Sequence, residues 1–323
     1  MAAIMVDERG VRPGVGVEDV EKAKTAERFF WLDIVGENDE ARIAFLRAMG
    51  LDDAEAATLI RLGQTGRMRF ARGRIRVVTW IADRQGALVE LHLVGCDKAV
   101  ATLWSGDPAS LETIRQQFSE RIAGVEEDMQ YGAGLLLQLL IGTLDASLET
   151  VDAQIDRLRL SLDQHSSSMD YSKIRRSFQE LQNFASSFSR YGSAVRSAMV
   201  GVETLPGVSS RAAAELNDYV DLVEDFEEQL YERRRWLSDI TYDFANAIAQ
   251  RQSDQISRLT IVSMIFLPMT ALTGFFGMNF DWLNQRIASQ EAFFLFGLAL
   301  PALAVVLTVI WLWRRGLMRL DLW

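Results

Sequence analysis

The sequence has a single cysteine, only two histidines, and no long apolar run near its amino terminus. Cys96 alone cannot close an internal disulfide, and with His92 and His165 it leaves too few nitrogen and sulfur ligands for structural zinc. The first thirty residues carry Asp7, Glu8, Glu18 and Glu21 and no apolar h-region, so no secretory signal peptide is expected and this part should stay in the cytoplasm. Basic side chains are outnumbered 34 to 44, a net charge of −10, and no basic patch is segregated. Such a chain repels a phosphate backbone, which disfavours nucleic acid as a partner. There is no Walker-type phosphate loop and no pairing of nucleophile with base. An enzyme and an ATP-driven pump are therefore both disfavoured, and no cofactor is expected.

What is present is a chain of 323 residues, 49% hydrophobic and 24% charged. That is ordinary globular usage, and at about 150 residues per domain it suggests two structural units. The composition shifts sharply near the carboxyl end. Leu259 to Met278 (LTIVSMIFLPMTALTGFFGM) contains no charged residue, and neither does Ala292 to Trp313 (AFFLFGLALPALAVVLTVIWLW). Twenty helical residues span about 30 Å, the thickness of a hydrocarbon core, so both runs are expected to cross a membrane. Pro268 and Pro301 are tolerated in such helices. Arg251 and Arg258 precede the first run and Arg314, Arg315 and Arg319 follow the second, whereas the connection carries only Arg286. By the positive-inside rule both termini are cytoplasmic and residues 279 to 291 form an outer loop. Trp311 and Trp313 at the inner boundary and Trp282 in the loop suit an interfacial aromatic belt.

Upstream, Phe29 to Trp104 reads as a small α/β unit. Strand-like FFWLDIV, RMRFA, RIRVVTWIA, ALVELHLV and KAVATLW are separated by glycine-bearing turns and two short helical stretches, DEARIAFLRAMG and DAEAATLIRLG. Alternation in Arg74-Ile75-Arg76-Val77 predicts one sheet face open to water, with His92 on the sheet surface and Cys96 incidental in a turn. From Ser110 onward the pattern is helical, with a turn at Ser166 to Ser168, a helix over Tyr171 to Met199, and a break at Leu205-Pro206-Gly207. Leu216, Tyr219, Val223, Phe226, Leu230, Leu237, Ile240 and Phe244 then keep near-heptad spacing up to the membrane. A helix unbroken from Ser209 to Met278 would be about 105 Å long and would need partners. The expected fold class is α+β: a cytoplasmic α/β domain over 1–108, a helical stalk over 109–258, and a transmembrane hairpin over 259–323. That hairpin has spans at 259–278 and 292–313 and a short cytoplasmic tail.

Two features bear on chemistry. Asp218, Asp221, Asp225, Glu228 and Glu232 share one helical face, either a cation-attracting stripe or a solvated surface. In the first span Thr260, Ser263, Leu267, Thr270, Gly274 and Gly277 fall near one stripe, which fits either a narrow conduit or a small-residue packing face. Two helices cannot enclose a lumen, so a pore requires several copies. Neither span holds a carboxylate, and magnesium, which dehydrates reluctantly, suits a path offering hydroxyls and carbonyls. Asn279 stands at the outer end of the first span, where symmetric copies would form a ring of amide oxygens.

Gly277-Met278-Asn279-Phe280, preceded by Arg258-Leu259-Thr260-Ile261 and by Phe266 to Gly274 (FLPMTALTG), resembles the signature of the CorA family of divalent-cation transporters. The likeness is strong from Tyr242 to Phe280, and the whole-chain layout agrees with it. The resemblance implies a funnel-shaped homopentamer in the inner membrane, with the first span lining a pore for divalent cations, Mg2+ first. Carried onto these residues, Gly277, Met278 and Asn279 form the outer selectivity mouth, and Asn279 meets the metal through its hydrating waters. Thr270, Gly274 and Ser263 line the conduit together with Thr260, and Leu267 with Leu259 or Ile256 forms apolar constrictions. Asp239 and Asp243 lie near the region where regulatory cations bridge subunits in the family, although Tyr242 occupies the matching position. Magnesium members usually continue with Met-Pro-Glu after Asn-Phe, whereas this chain has Asp281-Trp282-Leu283-Asn284-Gln285. The zinc-transporting ZntB branch also varies there, so Zn2+, Co2+ or Ni2+ transport, with or without proton coupling, and a non-conducting scaffold are the alternatives.

Overall fold

The computed structural model describes residues 3–26, 28–36, 38–71, 73–122, 129–163, 171–205, 207–278, 281, 285 and 289–315. The expected turn at Ser166 to Ser168 lies outside these residues, as do His165 and Arg319. Packing divides the chain into one compact unit over Met1–Thr241 and a second over Tyr242–Trp323. The borders at 108 and 258 follow composition instead.

The first unit is built on a seven-stranded sheet: β1 (Ala3–Asp7), β2 (Gly10–Val15), β3 (Phe30–Val35), β4 (Arg67–Ala71), β5 (Arg74–Ala82), β6 (Leu88–Cys96) and β7 (Ala99–Trp104). The spatial order is β2-β1-β3-β7-β6-β5-β4. The β3–β7 pair is parallel and every other neighbouring pair is antiparallel. Helices α1 (Val17–Thr25), α2 (Asp39–Ala48) and α3 (Asp53–Leu59) cover one face through Val20, Phe45, Leu46, Met49 and Leu59. Asn38 and Asp52 cap α2 and α3, accepting from the amides of Ala41 at 2.8 Å and Glu55 at 2.7 Å.

The other face is covered by α4 (Glu112–Ile122), α5 (Met129–Ile141), α6 (Asp145–Asp163), α7 (Tyr171–Met199) and the start of α8 (Ser210–Phe276). Central strands buried on both faces cannot alternate, and β1, β3 and β7 are buried throughout. This corrects the expectation of a wet sheet face. Arg74 and Arg76 do point to one side, but there they pair with Glu55 of α3, Arg74 at 3.0 Å. The β1–β2 hairpin and α1 precede the stretch read as α/β. Gly10, Pro13 and Gly14 interrupt the strand pattern of β2, which hides the hairpin in the sequence.

Helix α5 is apolar enough on length and composition to cross a membrane when joined to α6, yet the qualifying stretch is 72% buried within the protein. It packs so closely on the sheet that a Cβ at Gly95 of β6 would stand 2.1 Å from the Met129 sulfur. An aromatic cluster fastens α7 and α8 to the sheet: Trp80 of β5 lies 5.9 Å from both Phe184 and Tyr191, and Phe188 lies 4.7 Å from Phe226. Along α8 the buried residues Leu216, Tyr219, Val223, Phe226, Leu230, Leu237, Ile240 and Phe244 keep 3-4 alternation with one skip. Arg233 fills the skipped position and reaches Asp152 of α6 at 2.8 Å.

Beneath α4 lies a buried polar knot. Arg115 donates to Asp33 of β3 at 2.6 and 2.9 Å, and the other Asp33 oxygen accepts from Trp104 at 2.8 Å and Thr102 at 2.7 Å. Thr102 in turn accepts from the Trp31 indole at 2.8 Å. Every charge in the knot has a partner, which is the condition under which a buried ion pair persists. Arg115→Met strands the Asp33 carboxylate and should cost about 3–5 kcal/mol of stability. The double variant Asp33→Asn/Arg115→Met should recover part of that loss. Thermal unfolding followed by near-UV circular dichroism measures both, and an unchanged midpoint in the single variant contradicts the assignment.

Candidate functional site

The second unit holds the remainder of α8 and α9 (Gln290–Arg314), the latter begun by Ser289, whose hydroxyl accepts from the Ala292 amide at 3.1 Å. Phe293–Ala299 widens to a π-helical turn ahead of Pro301, which lacks the N–H that would reach the Gly297 carbonyl. The charge-free window of α8 is 0% buried within the chain and that of α9 only 6%. Side chains this apolar and this bare, Leu267 at 73% exposure among them, are stable only against lipid or further protein.

The cover that exists is confined to one stripe. Ile261, Ile265, Pro268, Leu272 and Phe276 of α8 are half-buried, and so are Ala292, Phe296, Leu300, Ala304 and Thr308 of α9. Phe276 stacks on Phe296 with centroids 5.2 Å apart. Thr260, Ser263, Leu267, Thr270 and Gly274 lie on the other side of α8, all exposed, and Ile256 and Leu259 extend that side by a turn. A Cβ at Gly274 would meet nothing within 4 Å.

The hydroxyls on this stripe are oriented. Thr260 donates to the Ile256 carbonyl, Ser263 to Leu259 and Thr270 to Phe266, each at 2.8 Å. With the proton committed to the helix backbone, each oxygen turns only lone pairs outward. The helix closes at Gly277, whose amide donates to Thr273 at 2.9 Å, and at Met278, whose amide donates to Phe275 at 3.3 Å. Asn279 lies outside the described residues.

The other residues singled out from sequence are dispersed. Asp239 and Asp243 are exposed one helical turn apart on α8, next to exposed Tyr242. Among the described residues no group of three or more His, Cys, Asp or Glu side chains is placed to hold a metal ion. The acidic stripe Asp218, Asp221, Asp225, Glu228 and Glu232 is exposed throughout, while the neighbouring Glu227 takes Arg196 at 2.6 Å. His92 is fully buried, not on the sheet surface. Its Nδ1 lies 2.5 Å from the Leu59 carbonyl and its Nε2 2.6 Å from Glu90, because α3 folds over that face of β6. Cys96 ends β6 as a buried thiol, and burial pushes its pKa to about 12.

A family model described as CorA-like Mg2+ transporter protein matches residues 26–315. The chain belongs to that family. It is a family of transporters and not of enzymes. The CorA-like fold is shared with the CorA magnesium transporter of Methanocaldococcus jannaschii, at a TM-score of 0.73 and 15% identity over 98% of this chain and 99% of that one. The full-length CmaX protein gives 0.68 at 18% identity over 98% and 97%. The ZntB cytoplasmic domain of Vibrio parahaemolyticus gives 0.57 at 11% identity, covering 77% of this chain and all of that domain. A candidate metal ion transporter of Bacillus subtilis (strain 168), YfjQ, is 30% identical over 103 residues, which is 32% of each chain. The matched stretch is thus about a third of that relative's length.

The thiol supplies a check on the sheet packing. A pKa raised from 9.0 to about 12 means that the thiolate appears only as pH approaches 12, so its population at neutral pH falls about a thousandfold. Alkylation of native protein by a maleimide at neutral pH should be slower than that of a free thiol by at least this factor, and should become complete on denaturation. Labelling at the rate of an exposed thiol contradicts the placement of Cys96.

Proposed function

We propose that the chain assembles as a homopentamer in the inner membrane, both termini cytoplasmic, and conducts hydrated divalent cations, Mg2+ first, along an axis lined by α8. The observation that carries this reading is the exposed stripe Thr260, Ser263, Thr270 and Gly274, set opposite the side of α8 that meets α9. A hydrated Mg2+ presents only O–H donors to its surroundings, and hydroxyls whose protons are held by backbone carbonyls present only acceptors. Family membership and the fold shared with a magnesium transporter support the same assignment.

In this arrangement α9 forms the lipid-facing ring. Ile256, Leu259 and Leu267 narrow the path as apolar constrictions that close by dewetting. Gly277, Met278 and Asn279 form the outer mouth, where the amide oxygen of Asn279 accepts hydrogen bonds from the ion's water shell. Asp239 and Asp243 of adjacent copies supply carboxylates for a regulatory cation. The likeness to a ZntB cytoplasmic domain and the Asp281 to Gln285 loop keep zinc as the second reading.

Flux into proteoliposomes decides between them. Wild-type protein should carry Mg2+ without a pH gradient, and Asn279→Ala should lower that flux at least about tenfold, the loss expected when charge-assisted contacts to the ion's shell are removed. Undiminished Mg2+ flux in the variant removes Asn279 from its role. Zn2+ flux that requires a pH gradient selects the second reading, and no flux of any ion from a stable pentamer selects a scaffold.

A further inference from the structure

Two helix faces of the first unit carry opposite charge, and neither is neutralised within the chain. Asp218, Asp221, Asp225, Glu228 and Glu232 share one side of α8, all exposed, opposite the seam of Leu216, Tyr219, Val223, Phe226 and Leu230. From Ala212 to Glu232 that helix holds eight carboxylates and no basic residue. None of the five on the exposed side has an ion pair among the described residues. On α7, Arg175, Arg176 and Arg190 share the side opposite Leu181, Phe184 and Phe188, again exposed and without an ion pair among the described residues. Arg190 keeps only a contact to the Ser187 hydroxyl at 3.0 Å. Along its whole length α7 has five basic residues and one carboxylate, Glu180.

The placement of these faces matters as much as their charge. The two seams meet, with Phe188 4.7 Å from Phe226, so the faces opposite them point away on either side of the α7–α8 pair. A body with opposite charges on its two flanks is matched head to tail by a second copy, a contact that closes into a ring when the rotation allows. Register agrees with this. Arg196 stands 3.5 Å from Glu224, Phe188 lies on Phe226, and Leu181 shares a cavity wall with Leu237, so α7 runs antiparallel to α8 and Arg190 is level with Asp225 and Glu228. Copies rotated about an axis that α8 follows keep their height along it, which brings Arg190 of one copy to the level of Asp225 and Glu228 in the next. Turned to the common axis instead, five carboxylates from every copy would repel one another.

We infer that the acidic face of α8 docks on the basic face of α7 in a second copy of this chain. Arg190 of one copy meets Asp225 and Glu228 of the next, and Arg176 and Arg175 extend the basic row past Glu232. The contact rests on the ring assembly proposed above and is the surface that closes its cytoplasmic part. Arginine forks suit carboxylates, and complementary charge of this kind fixes register and rejects wrong partners more than it adds affinity. The stripe Asp218 to Glu232 is then neither a cation trap nor a solvated surface but half of a contact between copies.

Disulfide cross-linking of full-length chains in lipid tests the contact. In a Cys96→Ser background, chains with Arg190→Cys alone and chains with Asp225→Cys alone are co-expressed and oxidised with copper phenanthroline. Covalent dimers are expected only from the mixture, and a ladder reaching the pentamer from chains that carry both substitutions. In detergent, Arg190→Glu should raise the concentration at which the assembly dissociates at least about tenfold, because like charges then face each other, and Arg190→Glu/Asp225→Arg should restore it. Both positions are exposed, so far-UV circular dichroism should be the same in every variant. An intact pentamer without the cross-link overturns this docking and leaves the pore reading standing, whereas a wild-type chain that is monomeric in lipid overturns both. Dimers formed by Asp225→Cys chains on their own put this face on the axis and overturn the docking as well.

Discussion

The structure depends on one constraint: a single 67-residue helix, α8, has to be stable in two solvents. Its first half buries a regular apolar seam, Leu216 to Ile240, against α6, α7 and the sheet, and that packing is what an aqueous helix of this length requires. Its second half has no charged residue after Arg258 and almost no cover. The hydrophobic effect that holds the first half together would expel the second from water, so the environment changes within one unbroken element.

The same constraint limits what the membrane stretch can do. A bare divalent ion in hydrocarbon is prohibitively costly, with tens of kcal/mol for the desolvation of even a single charge. No carboxylate on α8 or α9 between residues 259 and 276 or 292 and 314 is present to offset it. An ion crossing here has to keep its water, and the wall has to accept hydrogen bonds from that water. Three hydroxyls committed to backbone carbonyls give α8 one side with that property, and α9 occupies another. In the proposed assembly, symmetric copies turn this accepting side toward water instead of lipid.

Much of this was legible in the sequence because it rests on periodicity and on charge. The strands 67–71 and 74–82 and the helix 171–199 are found where alternation and helical spacing put them, and the two uncharged runs are the two bare helices. What escaped was decided by tertiary cover. Arg74 and Arg76 alternate as on an open sheet, but α3 supplies Glu55 beneath them. His92 carries no local sign of burial: Glu90 stands two residues away on the same strand, but the Leu59 carbonyl reaches the ring only when α3 docks. The stripe on α8 was legible as a stripe, whereas its position opposite α9 needed three dimensions.

The most direct test of the account is aqueous accessibility along α8 in lipid. Cys96→Ser removes the one native thiol, and single cysteines are then placed at Ser263, Thr270 and Gly274 and, for comparison, at Ile265 and Leu272. A membrane-impermeant thiol reagent should label the first three, with protection by millimolar Mg2+, and leave the last two untouched. Labelling at Ile265 and Leu272 with silence at Thr270 and Gly274 would place the water on the wrong side of the helix and contradict the account.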